Sequence, residues 1–183
     1  GFHPAPKMAP GWPLALGWAG YGEMIDLWFD FPEEEVTSEN RTEAGLMAKI
    51  NQSCPPGLKI TELKLIPIYD PALTTVIESA VYHARIKTPV SPDYLRDQME
   101  ALMARPTIER KRRNKPYDLK PLIEGFQVLP SQSDQPVLEI QMAARDSAMG
   151  RPDEVMAELG YDVNEVVFAR TRLILKQSPV PEE

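Results

Sequence analysis

Proline decides where this chain can be regular. It supplies 19 of the 183 residues, about twice the usual share of roughly 5%. Each proline fixes φ, withholds a backbone N–H and pushes the preceding residue away from the helical region. Helices and central strands must therefore fit between prolines. Pro32, Pro55, Pro56, Pro92, Pro106 and Pro152 each fall at the boundary of a periodic segment, and Pro4 and Pro6 stiffen an opening loop over residues 1–7. With 43% hydrophobic residues, what lies between suffices for the core of one ordinary domain or two small ones.

The first half alternates and then turns helical. Residues 8–17 are apolar and end at a glycine, which predicts a short strand with Pro13 near an edge or bulge. Over 22–30, Glu23, Ile25, Leu27 and Phe29 share one face, predicting a strand half-buried on that side. Residues 40–53 read as a helix with Asn40 at its N-cap and an apolar stripe of Leu46, Met47 and Ile50. Residues 58–66 alternate imperfectly, as a strand, and 72–77 suit a helical turn.

The second half is more regular. Residues 79–87 alternate, with Ala80, Tyr82, Ala84 and Ile86 opposite Val81, His83 and Arg85. Ser91-Pro92 opens a helix to Ala104 striped by Tyr94, Leu95, Met99, Leu102 and Met103. A charged strand follows at 107–113, a turn at 116–124, and strands at 127–129 and 137–144. A helix runs over 151–159 to Gly160, and the last strand over 165–176 sets Val166, Phe168, Arg170, Arg172 and Ile174 on one face.

This order is ββαβ followed by βαββαβ, an α+β chain. The second half has the complete order of a split βαβ, or ferredoxin-like, unit. The expected architecture is two tandem ferredoxin-like units, the first lacking its opening strand and helix. It divides into 1–68 as the partial first unit, 69–78 as a connector, 79–177 as the second unit and 178–183 as a tail. A first residue that is glycine suggests a fragment or processed piece.

Several classes are excluded. No apolar run approaches the roughly 20 residues of a membrane span, and no basic-then-apolar signal peptide opens the sequence. A lone Cys54 forms no intramolecular disulfide or multi-cysteine metal site, and His3 and His83 offer little for zinc. A reduced, cytoplasmic setting is expected, with no membrane partner.

The opening loop carries a resemblance. Gly1-Phe2-His3-Pro4-Ala5-Pro6-Lys7, the apolar 8–17 run and Gly22-Glu23-Met24-Ile25-Asp26-Leu27 resemble the radical-SAM-associated domain of unknown function. That domain is found alone or fused C-terminal to cobalamin-binding-type radical SAM proteins. Lys115-Pro116-Tyr117-Asp118-Leu119-Lys120-Pro121 is similar to its Asp-Leu-Arg-Pro stretch, with Lys120 in place of the usual arginine, and Arg151-Pro152-Asp153-Glu154-Val155 matches in order. The family's opening strand and helix, with a Ser-His-Leu-Asp-like motif, have no counterpart here, which makes the chain an N-terminally truncated example. The resemblance implies a radical SAM domain or protein as partner. The [4Fe–4S] cluster and S-adenosylmethionine belong to that partner, since the cluster needs three clustered cysteines and this chain has one.

Two segments are candidate binding sites, and no catalytic or metal residue is assigned. Residues 105–120 hold Arg105, Arg110, Lys111, Arg112, Arg113, Lys115 and Lys120 against Glu109 and Asp118. That net of +5 sits in a chain whose total is −7. Such segregation suits phosphate, as in RNA; it equally suits an edge strand kept soluble by charge. The binding set there is Arg110, Lys111, Arg112, Arg113, Lys115, Asp118 and Lys120. Phe2, His3 and Lys7 form the second set, in a loop that either holds a ligand at low entropic cost or packs Phe2 on a core. His83 reads as a satisfied sheet histidine, and Trp12, Trp18 and Trp28 as core or interface residues. The function expected is a non-catalytic accessory domain that binds or presents the substrate of a radical SAM protein, an RNA or ribonucleoprotein. The alternatives are an independent RNA-binding or RNA-processing protein on a double ferredoxin-like fold, and a structural protein-interaction module.

Overall fold

The structure, a computed structural model, describes residues 7–29, 42–130, 135–145 and 148–176. In chain order these form β1 (Met8–Pro10), β2 (Ala19–Gly20), β3 (Ile25–Leu27), α1 (Glu43–Ser53), α2 (Leu73–Val76), β4 (Ile77–Ile86), α3 (Pro92–Ala104), β5 (Glu109–Arg112) and β6 (Lys115–Asp118). Then follow β7 (Ile123–Leu129), β8 (Val137–Arg145), β9 (Ala148–Met149), α4 (Pro152–Glu158) and β10 (Val166–Leu175). The chain groups into two compact units, one of residues 1–8 with 27–71 and one of 9–26 with 72–183. Residues 9–26 thus go with the second half, whereas the sequence reading kept them in the first.

The larger unit is built on a mixed sheet in the order β2-β10-β4-β8-β7, with β9 added to β8. Neighbours from β10 to β7 are antiparallel, while β2 runs parallel to β10. The order β4-α3-β7-β8-α4-β10 is the βαββαβ order expected of a split βαβ unit. The alternation read from the sequence places the core. Ala80, Tyr82, Ala84 and Ile86 of β4 and Leu138, Ile140 and Met142 of β8 are buried with Leu95, Met99 and Leu102 of α3 and Val155 and Met156 of α4. The spacing of the α3 residues keeps them on one helical face. Ser91 caps that helix by accepting from Tyr94 N–H, with Pro92 in the first turn. Gly160 has φ of +88°, the left-handed conformation that glycine adopts freely, just past α4.

β10 departs from strict alternation. A bulge between Arg170 and Arg172 shifts the register, so Val166, Phe168, Arg170 and Leu173 are buried, and Arg172 turns to the other face. Arg170 is 1% exposed. Its Nε donates to Glu23 Oε1 at 2.8 Å, its Nη2 donates to Glu23 Oε2 and, at 2.7 Å, to the Trp12 carbonyl. Burial alone disfavours the charged guanidinium, but Glu23 and Tyr82 outweigh it and leave Arg170 with a raised pKa. Burial raises the pKa of the Tyr82 phenol, with Arg170 acting against it.

The bidentate pair straps the 11–24 loop onto β10. Tyr21 N–H donates to Arg170 O at 2.9 Å, and Gly11 N–H to Met24 O at 2.9 Å. Gly22 lies so close to the bulge that a Cβ there would meet Thr171 O at 2.6 Å. Trp18 stacks on Phe168 at 4.5 Å between ring centroids and meets Tyr82 edge-on at 5.9 Å. Only Met8–Pro10 and Ile25–Leu27 of the two expected strands form, as a two-stranded sheet. Met24, on the face predicted to be outward, packs against the core, and Ile25 is 41% exposed. The strap sets that phase: Glu23 must reach Arg170 while Met24 fills the core beside it.

In the smaller unit α1 begins at Thr42, whose hydroxyl accepts from Gly45 N–H at 3.0 Å; the expected cap Asn40 lies outside the described residues. Leu46 is its buried residue. Residues 58–66 form no strand, correcting the ββαβ reading of the first half. A strand needs a ladder partner for its backbone, and here Ile60 N–H and C=O go to the Asn51 side chain at 2.7 and 2.9 Å. The 178–183 tail also lies outside the described residues. No helix among the described residues is long and apolar enough to cross a membrane.

Loss of Glu23 strands a buried charge. Glu23→Ala should lower the unfolding free energy by about 3 kcal/mol, read from the urea midpoint. The double change Glu23→Ala/Arg170→Met should regain part of that loss. A double variant no more stable than Glu23→Ala would show that an uncompensated charge is not its source.

Candidate functional site

The basic segment folds as a β-hairpin, β5 against β6, apart from the main sheet. Arg112 pairs with Lys115, so Arg113 and Asn114 make a two-residue turn, with φ of 49° and 64°. Two positive φ values are those of a type I′ turn, whose twist suits paired strands. Asparagine tolerates this conformation; arginine does so at a cost. Register puts Arg110, Arg112, Lys115 and Tyr117 on one face, and Glu109, Lys111, Pro116 and Asp118 on the other.

The first face is clamped to α4. Arg110 Nη1 lies 2.8 Å from Glu158 Oε1, and Arg105 Nη1 lies 3.1 Å from Glu158 Oε2. Arg112 Nη2 lies 3.2 Å from Glu154 Oε2, its Nη1 donates to Met149 O at 3.2 Å, and its guanidinium sits 5.1 Å from the Tyr117 ring centre. The Tyr117 hydroxyl donates to the same Glu154 carboxylate. Asp118 Oδ1 accepts from Ile108 N–H at 2.8 Å and Lys120 N–H at 3.0 Å, closing the hairpin's base. Lys120 Nζ donates to Arg105 O at 2.6 Å, at the C-cap of α3.

Four of the seven residues expected to bind a ligand at this segment are thus tied within the fold: Arg110, Arg112, Asp118 and Lys120. Lys111, Arg113 and Lys115 have side chains without an ion pair or hydrogen bond among the described residues, and all three sit at the turn end of the hairpin. The counter-charges, Glu154 and Glu158, were not singled out as a site by sequence. Their spacing of four on a helix was the available signal, since it sets both on one face.

Of the second expected set, Phe2, His3 and Lys7, the structure describes Lys7. Phe2 and His3 lie outside the described residues. Lys7 Nζ stands 4.4 Å from the centre of the Trp28 ring, and Lys7 O accepts from Trp28 N–H at 3.1 Å. Its cation is therefore engaged by an aromatic face. His83 lies across from Glu139 in the β4–β8 ladder, Nε2 to Oε2 2.9 Å, a satisfied sheet histidine. A shallow hollow on the same sheet face is lined by Val81, Phe126, Gln127, Glu139, Gln141 and Arg172. No group of three or more His, Cys, Asp or Glu among the described residues is placed to hold a metal ion.

Burial, with the Glu154 hydrogen bond and charge, pushes Tyr117 up to about 12, Arg112 acting against it. The ordinary value is 10.0, so as pH rises an unfolded chain releases this proton first and stability falls between the two values. Below that window both states hold the proton, the stabilisation is fully present and stability no longer changes with pH on this account. In Tyr117→Phe the urea midpoint should fall less steeply from pH 10 to about 12 than in the native chain. Its neutral-pH stability should drop by about 1 kcal/mol for the lost hydrogen bond. Equal alkaline slopes would show that the fold does not hold the phenol in its protonated form.

Searches of curated proteins and of solved structures returned no match. A family model described as "Uncharacterized protein conserved in bacteria (DUF2344)" matches residues 1–152, most of the chain. With its basic hairpin, Gly22-Glu23 strap and βαββαβ core described, the chain belongs to the DUF2344 family.

Proposed function

We propose that this chain is a non-catalytic accessory domain that works with a radical SAM protein and binds that protein's substrate, an RNA or a ribonucleoprotein, at the β5–β6 hairpin. The observation that carries the reading is the separation of charge on that hairpin. Arg105, Arg110 and Arg112 meet carboxylates of α4, whereas Lys111, Arg113 and Lys115 meet none among the described residues. A rigidly held turn with unmatched cations is pre-organised for phosphates, which lowers the ordering cost of binding. The left-handed φ of 49° at Arg113 supports it too, since non-glycine residues held in costly backbone regions concentrate at functional sites. The radical SAM partnership rests on the motif resemblance of residues 1–7, 22–27 and 115–121. In this reading the cluster and S-adenosylmethionine sit on the partner, and both proteins are cytoplasmic.

Three phosphate contacts on single-stranded RNA should give a log–log salt slope of about −2. Lys111→Gln/Arg113→Gln/Lys115→Gln should abolish most of the binding and flatten that slope, measured by fluorescence anisotropy. Arg110→Gln should chiefly loosen the hairpin and leave the slope near its native value. Binding that is indifferent to the triple change, or to salt, overturns the hairpin assignment. A purified radical SAM protein that neither binds the chain nor gains activity from it overturns the partnership.

A further inference from the structure

Residues 58–66, Leu-Lys-Ile-Thr-Glu-Leu-Lys-Leu-Ile, have the composition and alternation of a strand, yet lie without a ladder. The backbone groups of Thr61, Glu62, Leu63 and Lys64 make no hydrogen bond among the described residues. Leu58, Leu65 and Ile66 are 57%, 56% and 49% exposed. Backbone polar groups and large apolar side chains left together in this way are a template for another strand.

One edge of the segment is already occupied. The Asn51 side-chain amide takes both Ile60 N–H and Ile60 C=O, as a facing strand would. Strand geometry turns successive residues to opposite edges, so Thr61, Leu63 and Leu65 define the open one. On it the only backbone bond among the described residues is Leu65 N–H to Glu43 Oε1, 2.9 Å and exposed, which is easily exchanged.

We propose that this open edge pairs antiparallel with the same edge of a second copy of the chain, about a two-fold axis at Leu63. The register is chosen by charge. Centring on Leu63 sets Glu62 opposite Lys64 of the partner subunit, and by symmetry Lys64 opposite the partner's Glu62. Ile60 then faces Ile66 of the partner subunit, and Thr61 faces the partner's Leu65. Centring on Glu62 instead would bring two like charges together, which is unfavourable. Opposite-charge pairs flanked by isoleucine pairs make the surface self-complementary, as a two-fold interface requires. Pro67, with no N–H to give, ends the ladder.

The test needs no ligand: the oligomeric state of the full chain is read by light scattering across a concentration series, with circular dichroism as the folding control. The native chain should pass from monomer to dimer as concentration rises. Glu62→Lys faces the partner's Lys64 with a like charge at two symmetric positions and should weaken the dimer by about tenfold. Glu62→Lys/Lys64→Glu restores the pairing and should return native affinity, while Leu63→Pro should leave only monomer. A chain monomeric at its highest soluble concentration overturns the proposal. So does a dimer unmoved by Glu62→Lys or not recovered by the double reversal. RNA binding at the hairpin is measured separately, so the two readings fail independently.

Discussion

The larger unit depends on a charge that has to be matched where it lies. Arg170 stands on an inward-facing position of β10, 1% exposed, in a place its neighbours Phe168 and Leu173 fill with carbon. A buried guanidinium without a carboxylate would be strongly destabilising. The 11–24 loop supplies Glu23 and the Trp12 carbonyl, and so is drawn against the strand. The bulge after Arg170, the glycine at 22 and the short parallel strand β2 all follow from that docking. One ion pair therefore explains why residues early in the chain belong to the second half's core.

A second charge pattern acts at the hairpin. Residues two apart on a strand are separated by about 6.8 Å, and residues four apart on a helix by about 6 Å along the axis. Arg110 and Arg112 thus match Glu158 and Glu154 as two rungs. The match pairs Arg110 and Arg112 with α4 and leaves Lys111, Arg113 and Lys115, toward the turn, without an ion pair among the described residues. The basic run is thus divided into residues paired within the fold and residues that are not.

The smaller unit shows the opposite condition, with bonding capacity left over. Asn51 and Glu43 provide side-chain substitutes for a strand partner at Ile60 and Leu65, while the residues between them have none. Backbone groups in water are tolerable but remain competent to pair. This segment and the hairpin turn both hold unmatched groups on exposed positions.

The sequence by itself determined the elements whose signals are local. Serine and proline mark the start of α3, a glycine ends α4, and the inward sets of β4 and β8 follow from alternation, because caps and side-chain direction depend on a few neighbouring residues. The tertiary structure alone decided which charges are matched and which strands exist. Arg170 reads as one more residue on an alternating strand until Glu23, far away in sequence, closes on it. Arg110 and Lys111 are alike in sequence and differ only in facing α4 or facing away. Residues 58–66 alternate as a strand should, yet a ladder needs a second segment at hydrogen-bonding distance. No property of the segment itself supplies one.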